Sequence, residues 1–273
     1  MLKFGNTYLN FGGTYIDGGL AKPDPNPLNL PTNTMRVKFK SGYTPTMGNT
    51  QTLVDSTNNV WDIYKSSVYW DSLFNGCTDL LEVLGANTTN LNQGMNQLFR
   101  GCTALSSVAF FDTSNVNSMN AMFYGCTSLT SIPLFDTSNV TNMNNMFDSC
   151  RLLTTNIPLL NTSKVTTMLG MFQQCTSLTD VPLFDTSNVT NISFMFNSCT
   201  SLTSVLLFDT SKVTTMEFMF YGCTKVQSGA LALYNQASSQ ANPPSNYYCT
   251  FRDCGVNTQT GSAELALIPS DWK

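Results

Sequence analysis

Seven cysteines, Cys77, Cys102, Cys126, Cys150, Cys175, Cys199 and Cys223, stand 25, 24, 24, 25, 24 and 24 residues apart. Around each of them the same columns recur. Residues 123–146 read Phe-Tyr-Gly-Cys-Thr-Ser-Leu-Thr-Ser-Ile-Pro-Leu-Phe-Asp-Thr-Ser-Asn-Val-Thr-Asn-Met-Asn-Asn-Met, and this unit returns with small changes from about residue 68 to 226. A single unit cannot bury its apolar side alone, whereas stacked units share one continuous core. The period therefore predicts a solenoid.

Each unit divides into two halves. In residues 138–150, Val140, Met143, Met146, Phe147 and Cys150 fall at a helical period. Asp136, Thr137 and Ser138, just before them, offer side-chain oxygens to cap a first turn. The other half, Leu129-x-x-Ile132-x-Leu134, reads as a short strand, returned to the next helix by a turn at Phe135-Asp136-Thr137. Strands of successive coils are expected to pair in parallel about 4.8 Å apart. Pro133, Pro158 and Pro182 cannot donate to such a ladder, so the strands must be very short. The expected fold is an α/β solenoid, a stack of short parallel strands and short helices with atypical N- and C-terminal caps. The longer spacings place one extra residue within Leu91-Asn92-Gln93-Gly94 and another, as a bulge, within Leu153-Thr154-Thr155-Asn156-Ile157.

The flanks break the period. An arm at residues 1–17 holds two small copies, Lys3-Phe4-Gly5-Asn6-Thr7-Tyr8-Leu9 and Asn10-Phe11-Gly12-Gly13-Thr14-Tyr15-Ile16. Each reads as apolar residue, turn, then Thr-Tyr-aliphatic, a pattern of short strands joined by tight turns. So short a segment is marginal by itself and is expected either to dock on something else or to remain a loose tail. Residues 18–34, rich in proline, form an extended spacer. Residues 35–77 are expected to cap the stack. There Met35-Arg36-Val37-Lys38-Phe39-Lys40 alternates as a half-buried strand, Trp70, Leu73, Phe74 and Cys77 sit at helical spacing, and Trp61 and Trp70 close the core. The repeats proper cover residues 78–226. Residues 227–273 form the exit cap, with a helix near 228–237, the signature Phe251-Arg252-Asp253-Cys254, a second helix near 263–268, and Trp272 over the open end of the core.

Composition removes several function classes. Histidine is absent, which excludes imidazole-based triads, proton shuttles and His-ligated metals. No carboxylate pair or nucleophile interrupts the repeat, so no catalytic residue, cofactor or metal site is predicted. Charged residues make up 11% of the chain, with net charge −4 and no basic cluster, which argues against nucleic-acid binding. No window approaches a membrane span, and the amino terminus lacks the apolar run of a secretory signal. Cysteines on a structural period behave as small buried hydrophobes, and their parallel Cβ vectors suit bridging poorly, so free thiols are expected.

Units reading Phe-x-x-Cys-Thr-x-Leu-Thr-x-Ile-Pro-Leu-Phe-Asp-Thr-Ser-x-Val-Thr-x-Met-x-x-Met resemble the BspA-like class of leucine-rich repeats. The resemblance implies a binding protein and not an enzyme. The class is associated with bacterial surface proteins that adhere to host or matrix partners, and it also occurs in bacteriophages. With no signal, lipid-attachment cysteine or wall-anchor tail read from the sequence, the expected setting is a phage virion. The arm resembles the attachment segments of phage fibre and appendage proteins, with Phe4, Tyr8, Phe11 and Tyr15 as attachment residues. The expected partners are other virion proteins through the arm and a bacterial surface protein or glycan through the repeats, with self-association open. The alternatives are a purely structural virion protein and a bacterial surface adhesin.

Variation among the internal copies points to where a ligand would be read. The pairs inside Met-x-x-Met and Phe-x-x-Cys drift while other columns stay almost fixed. Solvent exposure alone permits such drift, but apolar members are costly on a surface without a partner. The candidate ligand-binding residues are Tyr124, Asn144, Asn145, Leu169, Phe194, Phe218 and Tyr221. The strand face, with Ser107, Ser131, Asn156, Asp180 and Ser204, is the alternative. The column Asp112, Asp136, Asp185 and Asp209 reads as capping and not as calcium ligation, because Asn161 replaces it in one copy.

Overall fold

The computed structural model describes residue 26 and residues 28–48, 50–66, 69–88, 93–155 and 157–273. The arm, including Phe4, Tyr8, Phe11 and Tyr15, lies outside the described residues, as does Asn156.

The chain enters through a sheet. Strand β1 (Thr34–Phe39) buries Met35, Val37 and Phe39, and turns Arg36 and Lys38 the other way. It pairs antiparallel with β3 (Val60–Tyr64) and with β4 (Leu80–Asn87), while β2 (Thr50–Asp55) pairs with β3 at the edge. Arg36 donates to both carboxylate oxygens of Asp62 at 2.7 and 2.8 Å, and Lys38 reaches Glu82 at 2.9 Å. The change to repeat geometry happens on β4, whose far side pairs in parallel with β6 (Ser107–Val108). A second, two-stranded parallel sheet joins β5 (Gln93–Gly94) to β7 (Val116–Ser118).

Among the described residues of the repeats the expected helices are absent. Residues 143–150 show what replaces them. The N–H groups of Met143, Asn145, Phe147 and Ser149 donate to the carbonyls of Thr167, Leu169, Met171 and Gln173 in the next coil, at 2.7–3.2 Å. Those of Met146, Asp148 and Cys150 donate back three residues to Met143, Asn145 and Phe147, at 3.0–3.3 Å. Asn145 and Ser149 take left-handed backbone angles, φ 53° and 61°, and equivalent positions in the other coils do the same. A left-handed residue ends an α-helical turn, and sending alternate donors to a neighbour removes the i→i−4 ladder. The half-unit is thus a row of tight turns zipped in parallel to the row beside it. Its buried residues keep the spacing three, one, three, which is why it reads as a helix in the sequence. The same correction holds for Trp70, Leu73, Phe74 and Cys77, where Ser72 and Gly76 are left-handed.

The other half also departs from expectation. Beyond Ser107–Val108 and a single bridge from Ser204 to Ser228, no parallel pairing joins the Leu-x-x-Ile-x-Leu segments among the described residues. Parallel bridges run instead along Ser118, Asn142, Thr167, Asn191, Thr215 and Asn246. Leu134 is not a core residue: it is 55% exposed, whereas Phe135, assigned to the turn, is buried.

The interior is a set of columns. Phe74, Phe99, Phe123, Phe147, Phe172, Phe196, Phe220 and Phe251 stack with successive ring centroids 5.3–5.9 Å apart, and Trp272 ends the stack 6.3 Å from Phe251. Each ring removes enough apolar area to contribute about 2–3 kcal/mol. All nine cysteines are unbridged. From Cys102 to Cys223 each periodic thiol donates to the carbonyl of a phenylalanine in the preceding coil at 3.0–3.1 Å, and burial pushes the thiols up, Cys126 to about 12. A thiol this far from ionisation is inert as a nucleophile. A third column, Thr88, Thr113, Thr137, Thr162 and Thr186, donates each hydroxyl to the next coil's Asp or Asn carbonyl at 2.6–2.9 Å. The Asp112, Asp136, Asn161, Asp185 and Asp209 side chains accept from the N–H two residues on, closing turns that no helix follows.

The exit is helical. Helix α1 (Ala230–Ser238) sits over the last coil, where Gln236 donates to the Phe208 carbonyl at 2.7 Å and Gln240 donates to Thr210. Helix α2 (Gln259–Leu267) starts at a Thr258 cap that accepts from Gly261 N–H at 3.0 Å. Its Glu264 carboxylate holds the N–H groups of Gly229 and Leu231 at the start of α1. Trp272, on a final 3-10 turn (Ser270–Trp272), is buried with its ring 4.3 Å from Tyr247.

Candidate binding surface

The rows of turns decide which side chains face outward. The first residue inside Met-x-x-Met is held by a side-chain acceptor at Asn120, Asn144, Leu169 and Ser193, and the second is left-handed in each coil. Asn144 N–H donates to Asn142 Oδ1 at 2.9 Å, and Ser193 N–H donates to Asn191 Oδ1 at 2.9 Å. The left-handed residue, Asn145, Phe194 or Phe218 in turn, projects away from the buried Met and Phe columns.

All seven candidate residues are half-buried and none is fully exposed. They divide by what they touch. Phe194 and Phe218 stack with centroids 5.0 Å apart. Tyr221 meets Phe218 edge-on at 5.8 Å, and Tyr248 from the exit cap does so at 5.4 Å. The Arg252 guanidinium lies 5.9 Å from the Tyr221 ring centre. Three candidates are thereby brought into one aromatic patch, and its most exposed member is Tyr248, at 58%. Tyr248 was missed because it stands outside the 24-residue period; its signal was the nearby Phe251-Arg252-Asp253-Cys254 copy, which marks the segment as a further coil.

The remaining candidates are elsewhere. Tyr124 lies four coils before Tyr221, beneath the Arg100 guanidinium at 4.9 Å. Asn144 is used inside the stack: its Oδ1 accepts from Thr167 Oγ1 at 2.6 Å and from Leu169 N–H at 2.9 Å. Leu169 is thus fixed through its backbone to the preceding coil. Asn145 supplies a left-handed position, which its short amide side chain tolerates.

A second outward row escaped sequence reading. Leu134, Leu159, Leu183 and Leu207, one per coil, are each 53–57% exposed, and Phe110 holds the same position one coil earlier. Pro133, Pro158 and Pro182 stand beside three of these leucines. A row of exposed leucines is an uncommon surface for a chain with no partner. Among the described residues no group of three or more His, Cys, Asp or Glu is placed to hold a metal ion, and no helix is long and apolar enough to cross a membrane.

Residues 69–179 match the family described as BspA type leucine rich repeat region, in six copies, and residues 128–234 match Mycoplasma protein of unknown function, DUF285. The chain is also similar to solved structures of leucine-rich repeat proteins. That from T. pallidum is 23% identical over 64% of this chain and 76% of its own, with a TM-score of 0.47. That from Eubacterium ventriosum is 19% identical over 64% of this chain and 46% of its own, with a TM-score of 0.46. No curated protein matches.

Proposed function

We propose that this chain, whose residues 69–179 match the BspA type leucine rich repeat region, is a non-enzymatic binding protein that presents the aromatic patch of Phe194, Phe218, Tyr221 and Tyr248 to a partner. The observation that carries this reading is the contrast between fixed columns inside and an aromatic cluster outside. Tyr and Phe on a rigid scaffold supply contact area at low entropic cost, and an arginine beside them adds charge and hydrogen-bonding reach. The setting proposed is a phage virion, with the arm joining other virion proteins and the repeats meeting a bacterial surface protein or glycan. The paired Phe-Gly-x-Thr-Tyr copies of the arm and the proline-rich spacer behind them support that setting.

A purely structural virion role is the second reading. It is favoured by the way Phe194, Phe218, Tyr221 and Tyr248 already satisfy one another's packing. One experiment separates the two. Labelled chain is titrated onto intact cells of a panel of bacterial species, beside the triple variant Phe194→Ala, Phe218→Ala, Tyr221→Ala. Loss of three central aromatic contacts is expected to weaken binding by on the order of a hundredfold or more. Equal binding by both proteins removes the aromatic patch as the reader, and binding by neither supports the structural role.

A further inference from the structure

The exposed leucine row has a head, and the chain enters the fold there. Val83 pairs with Val108 across β4 and β6. Two residues beyond Val108 is Phe110, and two beyond each equivalent residue, Ile132, Ile157, Val181 and Val205, is a leucine of the row. Two residues beyond Val83 is Gly85, which brings no side chain to that position. Leu28 fills it instead: a Cβ on Gly85 would come within 3.0 Å of Leu28 Cδ1. Asn26 and Leu30 are tied down at this point. Asn26 brackets Leu30 through both its amide atoms at 2.8 and 2.9 Å, and Asn87 donates to the Leu30 carbonyl at 2.7 Å. A segment from the amino-terminal side therefore supplies the first member of the row, and Leu28 is itself 39% exposed.

We propose that the row from Leu28 and Phe110 to Leu207 is the docking site for the chain's own amino-terminal arm, residues 3–16. Length permits it. Five coil steps of about 4.8 Å make a row of roughly 24 Å, and one extended seven-residue copy of the arm spans roughly 23 Å. The nine residues 17–25 form a tether of roughly 28 Å when extended, enough to bring either copy to any point of the row. Composition fits as well. Each copy carries a phenylalanine, a tyrosine and an aliphatic residue, the apolar groups that a leucine row can cover. Position selects this occupant over a second row from another copy: Leu28 lies at the head of the row, so the segment that precedes it is held beside the row at high local concentration. Residues 1–25 hold Lys3 and Lys22 against Asp17 and Asp24, a balance of 2 − 2 = 0, so no net charge opposes the contact. The inference goes beyond the proposed function and does not rest on it. An arm seated on the row is the state of the free chain, before a partner takes it.

Hydrogen exchange on the full-length chain tests this. Amides in residues 3–16 are expected to exchange at least about tenfold more slowly than in an unstructured peptide of the same sequence. That protection should vanish in the double variant Leu159→Ser, Leu183→Ser, whose sites are more than half exposed and whose melting curve should stay close to that of the unaltered protein. The complementary variant Phe4→Ser, Tyr8→Ser, Phe11→Ser, Tyr15→Ser should increase binding of an apolar dye several-fold. Unprotected arm amides in the unaltered chain overturn the proposal, as does protection that survives the leucine substitutions. Protection that disappears on dilution together with an oligomeric mass assigns the row to a neighbour's arm and overturns it too.

Discussion

Asp148 is the residue whose surroundings fit it least. It occupies the first variable position of Phe-x-x-Cys, is buried, and has one hydrogen-bond donor of its own, Ser149 Oγ at 2.8 Å. Burial holds its pKa above the ordinary carboxylate value, against the opposite pull of that hydroxyl. With a raised folded-state pKa, the native protein binds the proton more tightly than the unfolded chain does. Stability is then greatest below the unfolded value near 3.9 and falls as pH rises through the folded pKa. The coil at 197–198 shows the remedy, because there Asn197 accepts the same bond from Ser198 Oγ at 2.9 Å. Asp148→Asn should therefore melt at a higher temperature than the unaltered protein at pH 7, with the difference closing by pH 3. Thermal unfolding at the two pH values measures it, and an equal or lower melting temperature at pH 7 would contradict the reading. At this scale the sequence was informative about the interior. The Phe, Met, Cys and Val columns could be placed by period alone, since only buried positions repeat so strictly. It was less informative about Asn144, whose amide spans two coils, because a residue that braces a neighbour looks in one sequence like a residue free to vary.

The row of tight turns is the element that sequence reading mistook. A helix and this row bury the same i, i+3, i+4 and i+7 positions, so periodicity could not separate them. The distinguishing sign was present in Gly76, Gly101, Gly125 and Gly222, which recur at the second position of Phe-x-x-Cys, where a helix interior would disfavour them. Gly125 has φ 71°, and a Cβ there would meet nothing closer than the Gly101 Cα at 3.7 Å. Gly125→Ala therefore tests backbone handedness without a clash. It should cost about 1 kcal/mol, the penalty of a left-handed alanine, visible in a denaturant titration as a lower midpoint at unchanged slope. A helical row would gain stability from the same change. The leucine row went unnoticed for a related reason. Ile132, Leu134 and Phe135 are all apolar, and only the register of the chain shows that Phe135 turns inward and Leu134 outward.

For the whole molecule, the two ends are built differently because they close different openings. The first coil inherits a sheet edge, and β1, β3 and β4 extend it with antiparallel strands. The last coil leaves an open aromatic stack, and Trp272 covers it while Glu264 ties the two helices of the cap together. Trp272→Ala should cost about 3–5 kcal/mol, the usual range for emptying a buried tryptophan site. The loss should appear as a large drop in melting temperature together with faster proteolysis of the carboxy-terminal segment; a drop of only a degree or two would mean that α1 alone closes the stack. Between the ends, every coil donates to the next one the backbone bonds that the previous coil donates to it. A junction made by deleting or duplicating one whole unit is then chemically the same as the junctions on either side. Length is in this sense a free parameter of the molecule, adjustable in steps of one coil without redesign of either cap. The distance from the first coil to Tyr248 can be changed by copying, like adding a link to a chain.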